Sequence, residues 1–234
     1  MPTDTCRALP ALILAAGRGE RMRPLTDLTP KPLLTVGGRP LIEWHLESLA
    51  RAGVRRVVIN TAWLEDQFPA ALGDGSRFGL DIRYSMEGRD HGGALETAGG
   101  MAKALPLLGP AFWVVAGDVF APDFRFDVSD SERFLAGKDW AHLWFVDNPA
   151  HHPQGDFALQ GESERVRLQG EPRLTYATIG LFRAEMVSHL PAGQKWALRP
   201  VLESAIAQDR VGGERYAGHW TDVGTPERLA ALNP

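Results

Sequence analysis

Glycines 17 and 19 are followed at short range by Arg21, Arg23 and Lys31. Without Cβ atoms, the glycines let backbone N–H groups come close to a ligand. Fixed positive charge beside such amides suits a polyphosphate. The loop is not a P-loop, which needs Gly-Lys-Ser/Thr after four intervening residues, and Met22 stands where a dinucleotide fingerprint wants its third glycine. Further along, Asp118 closes the run Val114-Val115-Ala116-Gly117-Asp118. A carboxylate at the end of a strand, exposed by a glycine, is placed to hold Mg²⁺ against phosphate oxygens.

These groups need a scaffold that presents them together. Residues 11–15 are apolar throughout, as in a central parallel strand covered on both faces. Pro40 opens a helix that keeps helical spacing up to Gly53, and residues 54–59 read as the second strand. A helix over 63–72, a strand at 82–84, a glycine-rich loop at 88–93, a helix over 97–107 and a strand at 111–115 continue the alternation. Residues 141–146 and 174–182 read as strands, with turn-rich sequence between 151 and 173. Residues 200–208 then read as a helix, 215–220 as a strand and 226–232 as a closing helix. The expected fold is α/β: a doubly wound, Rossmann-like, mainly parallel mixed sheet, with a small antiparallel excursion over a second ligand.

The chain has 234 residues, 44% hydrophobic and 23% charged, in the range of an ordinary globular protein and enough for one sizeable core. The expectation is a single domain over 1–234. A formal charge of −4 gives no reason to expect nucleic-acid binding. Cys6 is the only cysteine, which excludes an intrachain disulfide and fits a reducing compartment. The apolar run at 9–16 is short, its n-region holds Asp4, and cleavage at Ala16 would remove the first strand, so it does not read as a leader. No run reaches the roughly 20 apolar residues that span a bilayer. These points lead to the expectation of a cytoplasmic protein without membrane or nucleic-acid partners, as a monomer or small homo-oligomer.

The string from Leu12 to Pro32, with Arg21, Arg23-Pro24-Leu25-Thr26 and Pro30-Lys31-Pro32, resembles the signature of the sugar-phosphate nucleotidyltransferases. These enzymes join a nucleoside triphosphate to a sugar 1-phosphate. The resemblance implies that Arg21 and Lys31 neutralise the phosphates and that Ala15, Ala16, Gly17, Gly19 and Glu20 cradle the nucleotide. It implies that Asp118 and Asp222, the latter in Trp220-Thr221-Asp222-Val223-Gly224-Thr225, bind one Mg²⁺. It also places Glu87 and the segment with Gly99 around the base. There an ionised Glu87 would accept from N3–H of uracil or thymine or from N1–H of guanine, and would not suit cytosine. Asp156, Thr178 and Gly180 are the implied sugar contacts. Larger relatives often carry a C-terminal β-helix, which is not expected here.

Asn60-Thr61-Ala62-Trp63, Val146-Asp147-Asn148-Pro149, the segment His151 to Phe157 and His219-Trp220 further resemble the N-acetylmuramate 1-phosphate uridylyltransferases of cell-wall recycling. This implies UTP and N-acetylmuramate 1-phosphate as substrates, with Arg199 or Lys195 as a partner for the lactyl carboxylate. Ala116 departs from that group, where asparagine usually stands two places before the metal aspartate. His151 and His152 lack zinc-site spacing and read as a turn with one histidine near the sugar. The alternatives are a mannose 1-phosphate guanylyltransferase, another hexose 1-phosphate nucleotidyltransferase, or a non-catalytic nucleotide or sugar-phosphate sensor.

Overall fold

The computed structural model describes residues 8–161 and 164–233; Asp4 and Cys6 lie outside them. The first half alternates strands and helices. β1 (Ala11–Leu14) is followed by the single turn α1 (Leu25–Leu28) and the hairpin β2 (Thr35–Val36) and β3 (Arg39–Pro40). Next come α2 (Leu41–Arg51), β4 (Arg56–Thr61), α3 (Gln67–Leu72), β5 (Asp81–Met86), α4 (Glu87–His91), α5 (Glu96–Ala104) and β6 (Ala111–Ala116). β1 runs parallel to both β4 and β6, and β4 to β5.

Alternation along β1 divides the core between two faces. Ala11 and Ile13 pack with Ile42, Leu46 and Leu49 of α2. Leu12 faces the other side, among Ala98, Met101 and Ala104 of α5. Because both faces are covered, the strand can be apolar at every position.

The second half comprises β7 (Val119–Phe120), α6 (Val128–Ala136), β8 (Ala141–Val146), β9 (Phe157–Gln160), β10 (Arg165–Arg167), β11 (Arg173–Arg183), α7 (Leu198–Ala207), β12 (Val211–Arg215), β13 (Thr221–Asp222) and α8 (Pro226–Ala231). The nine-stranded sheet has the order β5-β4-β1-β6-β11-β8-β12-β10-β9, and β9 pairs again with β11. That last pairing closes five strands into a small barrel. β11 belongs to both parts: residues 179–183 continue the sheet beside β6, while Arg173 and Leu174 meet β9.

The expectation of a mainly parallel sheet is therefore corrected. β11 enters antiparallel to β6 and β8, and β10 is antiparallel to β9 and β12; in this half only β8 and β12 run parallel. The antiparallel part is not an excursion but half of the fold. Locally, residues 88–91 are helical rather than loop, and the last sheet strand is 211–215 rather than 215–220. Glycines 212 and 213 hid that strand, since glycine is a poor strand former. Gly213 is there because a Cβ would stand 2.8 Å from the Leu143 carbonyl oxygen and from the Phe145 ring.

α2 also holds the edge of the cleft. His45 is 2% exposed, and its Nε2 lies 2.7 Å from the Val119 carbonyl oxygen, to which it donates as a neutral ring. Burial pushes its pKa down from 6.5 to about 4. Between those values the unfolded chain binds a proton that the native ring does not, so stability falls as pH falls. Denaturant titrations at pH 7 and pH 5 should show a loss of about 2 kcal/mol from this group. In His45→Gln, whose amide can still donate to Val119, that part of the loss should vanish.

Candidate active site

The carboxyl ends of β1, β4 and β6 open into a cleft of about 680 Å³, where ligands of open α/β sheets bind. Ala15, Ala16, Gly17, Gly19, Lys31 and Asp118 line one end. Asp156, Tyr176, Thr178 and Arg199 line the other, where the barrel and α7 meet the sheet.

The glycine loop is held from behind. Ala15 N–H donates to Asn60 Oδ1 at 2.8 Å, and Asn60 Nδ2 donates to Glu87 Oε1 at 2.7 Å. Glu87 Oε2 accepts from Leu95 N–H at 2.7 Å. Glu87 is 0% exposed; burial pushes its carboxyl pKa up, and the hydrogen bonds from Leu95 and Asn60 oppose that shift. Both Glu87 oxygens are thus engaged inside the protein and the residue lies off the cleft wall, so this geometry lends no support to the expectation that it reads the base. A Cβ on Gly100 would stand 2.6 Å from both Asn60 Nδ2 and Glu87 Oε1, so glycine is required for this network to form. Gly99 is likewise a packing residue, because a Cβ there would strike the Gln194 carbonyl. Gly17, by contrast, is exposed and has open space where a side chain would be.

Lys31 sits between Pro30 and Pro32 in a tight turn, its side chain 12% exposed, with Nζ 2.5 Å from Asp118 Oδ2. Asp222 pairs with Val119 across the β7–β13 ladder, and Val223 N–H donates to the Asp118 carbonyl at 2.8 Å. The two aspartates are therefore one step apart along adjoining strands. Asp222 Oδ1 is met by Arg228 Nη1 at 2.5 Å and by His151 Nε2 at 2.9 Å. Thr225 caps α8, the helix that supplies Arg228. Among the described residues no group of three or more His, Cys, Asp or Glu side chains could hold a metal. Asp118 is on the cleft wall and Asp222 is not among the residues that line it; Mg²⁺ is usually held by one or two carboxylates, with phosphates and water completing the shell.

At the other end, Asp156 Oδ2 accepts from Tyr176 N–H at 2.9 Å, and Oδ1 lies 3.3 Å from His152 Nε2. The adjacent histidines thus go to different carboxylates, His151 to Asp222 and His152 to Asp156. Thr178 has φ +56°, a left-handed conformation that β-branched residues rarely adopt. It sits where β11 slips register against β8, between Tyr176 and Gly180, and strain of this kind gathers at ligand sites. Gly180 is needed for packing, since a Cβ would stand 2.8 Å from the Phe182 ring and 3.0 Å from the His142 carbonyl. Glu20 and Arg21 are exposed on the turn after Gly19 and are not part of the cleft wall. Asn60, Tyr176 and Arg228 were not singled out from sequence. A buried asparagine at the end of the apolar run 57–59 was the readable sign of the first; nothing local marked the other two.

Residues 10–135 match the Nucleotidyl transferase family, and the chain belongs to it. An N-acetylmuramate alpha-1-phosphate uridylyltransferase from Neisseria meningitidis serogroup B (strain ATCC BAA-335 / MC58) is 51% identical over 222 residues, covering 94% of each chain. One of the same designation from Caulobacter vibrioides (strain ATCC 19089 / CIP 103742 / CB 15) is 32% identical over 237 residues, again covering 94% of each. A crystal structure of a Bacillus anthracis protein, designated a glucose-1-phosphate thymidylyltransferase, shares the fold. Its TM-score is 0.80 at 23% identity, covering 97% of this chain and 94% of that one. Among the described residues no helix is long and apolar enough to cross a membrane.

Asn60→Ala should lower unfolding free energy by about 2–3 kcal/mol, because it leaves the buried Glu87 carboxylate short of a donor. Urea titration at pH 7 measures this directly; an unchanged midpoint would mean that the network does not hold the loop.

Proposed function

We propose that the cleft transfers the uridylyl group of UTP to N-acetylmuramate 1-phosphate, releasing pyrophosphate and forming UDP-N-acetylmuramate. The observation that carries this reading is the single continuous cleft, with the glycine loop, Lys31 and Asp118 at one end and hydrogen-bonding side chains at the other. A relative 51% identical over 94% of the chain bears that activity in its name.

The sugar-phosphate oxygen attacks the α-phosphorus of UTP, and the bond to the β-phosphate breaks. Most of the protein's work is to align two anions and to stabilise charge on the leaving group. The amides at Ala16 to Gly19 point donors at the phosphates, while that of Ala15 stays with Asn60. Lys31 lies at the α-phosphate, released from Asp118 as that oxygen takes over its charge. Arg21, from its exposed turn, reaches the β- and γ-phosphates. Asp156 and Thr178 hold hydroxyl or amide groups of the sugar. Asp118 and Asp222 would hold Mg²⁺, which supplies charge neutralisation between triphosphate and sugar phosphate. The base is read by groups other than Glu87. The chain works as one nucleotidyltransferase unit, in the cytoplasm where UTP is made.

With UTP, N-acetylmuramate 1-phosphate and Mg²⁺, the wild type should release pyrophosphate. Lys31→Ala and Asp118→Ala should each reduce kcat by about 10²–10³-fold, the scale of losing one charge-stabilising contact in a transition state. Full activity in both variants would contradict the assignment.

A further inference from the structure

N-acetylmuramate differs from N-acetylglucosamine by a lactyl ether that ends in a carboxylate. If the proposed function holds, on which this inference rests, the cleft must accept a negative charge at its sugar end as well as at its phosphate end. Lys31 and Arg199 are the only lysine or arginine side chains on the cleft wall among the described residues. Lys31 is committed to Asp118 and the phosphate end. Arg199 stands at the opposite end, close to Asp156, Phe157 and Tyr176.

The Arg199 guanidinium is hydrogen-bonded through Nε and makes a longer ion pair with Asp156 through Nη1. Its Nε donates to Glu203 Oε1 at 2.9 Å, one helical turn away on α7, and its Cζ lies 5.3 Å from the Phe157 ring centroid. Nη1 is 3.7 Å from Asp156 Oδ1, beyond hydrogen-bonding distance. The two Nη groups thus offer a fork of the geometry that binds a carboxylate through two parallel hydrogen bonds. The side chain is 56% exposed, so an arm on the sugar can reach it from the cleft.

Arg199 also forms part of a second hollow of about 520 Å³ beside the cleft, lined by Asn148, His152 and Arg173 among others. Arg173 is not a competing partner. Its Nε, Nη1 and Nη2 already donate to the carbonyls of Gln154, Leu168 and Asp156 at 3.2, 3.0 and 2.6 Å. Asp156 is itself tied to the Tyr176 amide and His152, which moderates its repulsion of an incoming carboxylate. Lys195 is exposed and lies outside both linings. We infer that Arg199 binds the lactyl carboxylate of the acceptor and is the residue that selects a muramic over a glucosamine sugar.

The test is calorimetric binding of UDP-N-acetylmuramate and UDP-N-acetylglucosamine to wild type, Arg199→Gln, Arg199→Lys and Lys195→Gln, alongside turnover of N-acetylmuramate 1-phosphate. Wild type should prefer the muramate nucleotide by about tenfold or more, as for a hydrogen-bonded charge pair. The ratio of the two Kd values should fall to near one in Arg199→Gln, remain in part in Arg199→Lys, and be unaltered in Lys195→Gln. A ratio that survives Arg199→Gln, or equal weakening of both ligands with the ratio intact, would overturn the inference. If wild type turns over the muramate sugar while the ratio survives, only this assignment fails. If wild type neither prefers nor turns over the muramate sugar, the proposed function fails with it.

Discussion

The ion pair between Lys31 and Asp118 is the constraint around which the cleft is arranged. A lysine ammonium this well covered needs a carboxylate beside it, because burying an unpaired charge costs several kcal/mol. The pair joins the Pro30–Pro32 segment to the end of β6, across the cleft wall. Asp222 repeats the arrangement with Arg228 and His151. Each carboxylate that could meet a metal ion thus has a cation of its own.

The two halves of the fold divide the work. The parallel half brings strand ends and the glycine loop to one end of the cleft, with Glu87 and Asn60 bracing the loop from within. The barrel supplies side chains that differ in charge and shape, which suits the recognition of a sugar. β11 connects the two, since it pairs with β6 at one end and with β9 at the other. Its register slip at Thr178 occurs where the strand passes the cleft. The barrel is therefore in direct mechanical contact with the strand that lies beside the phosphate site.

That Gly17, Gly19, Lys31 and Asp118 share one end of the cleft was readable because they lie in short strings: glycines, a lysine between prolines and an aspartate after Gly117. The alternation of strands and helices up to β6 was equally readable, since buried parallel strands are continuous apolar runs. The barrel was not, because β9, β10 and β12 are short, β10 is mostly charged and β12 holds two glycines, and only long-range pairing makes them strands. Glu87 shows the limit most clearly. A glutamate beside a glycine-rich segment reads as a ligand contact, yet the fold turns it inward to Asn60. Gly99 and Gly180 show a related limit: a glycine that admits a neighbouring backbone cannot be told from one that admits a ligand until the neighbour is known.

The central claim is the pairing of a uridine nucleotide with a muramic sugar phosphate in this cleft. Its most direct test is pyrophosphate release with Mg²⁺, crossing UTP, dTTP, GTP, ATP and CTP with the 1-phosphates of N-acetylmuramate, N-acetylglucosamine, glucose and mannose. The account predicts the highest kcat/KM for UTP with N-acetylmuramate 1-phosphate. A maximum at GTP with mannose 1-phosphate would leave Lys31 and Asp118 in their roles and contradict the substrate assignment.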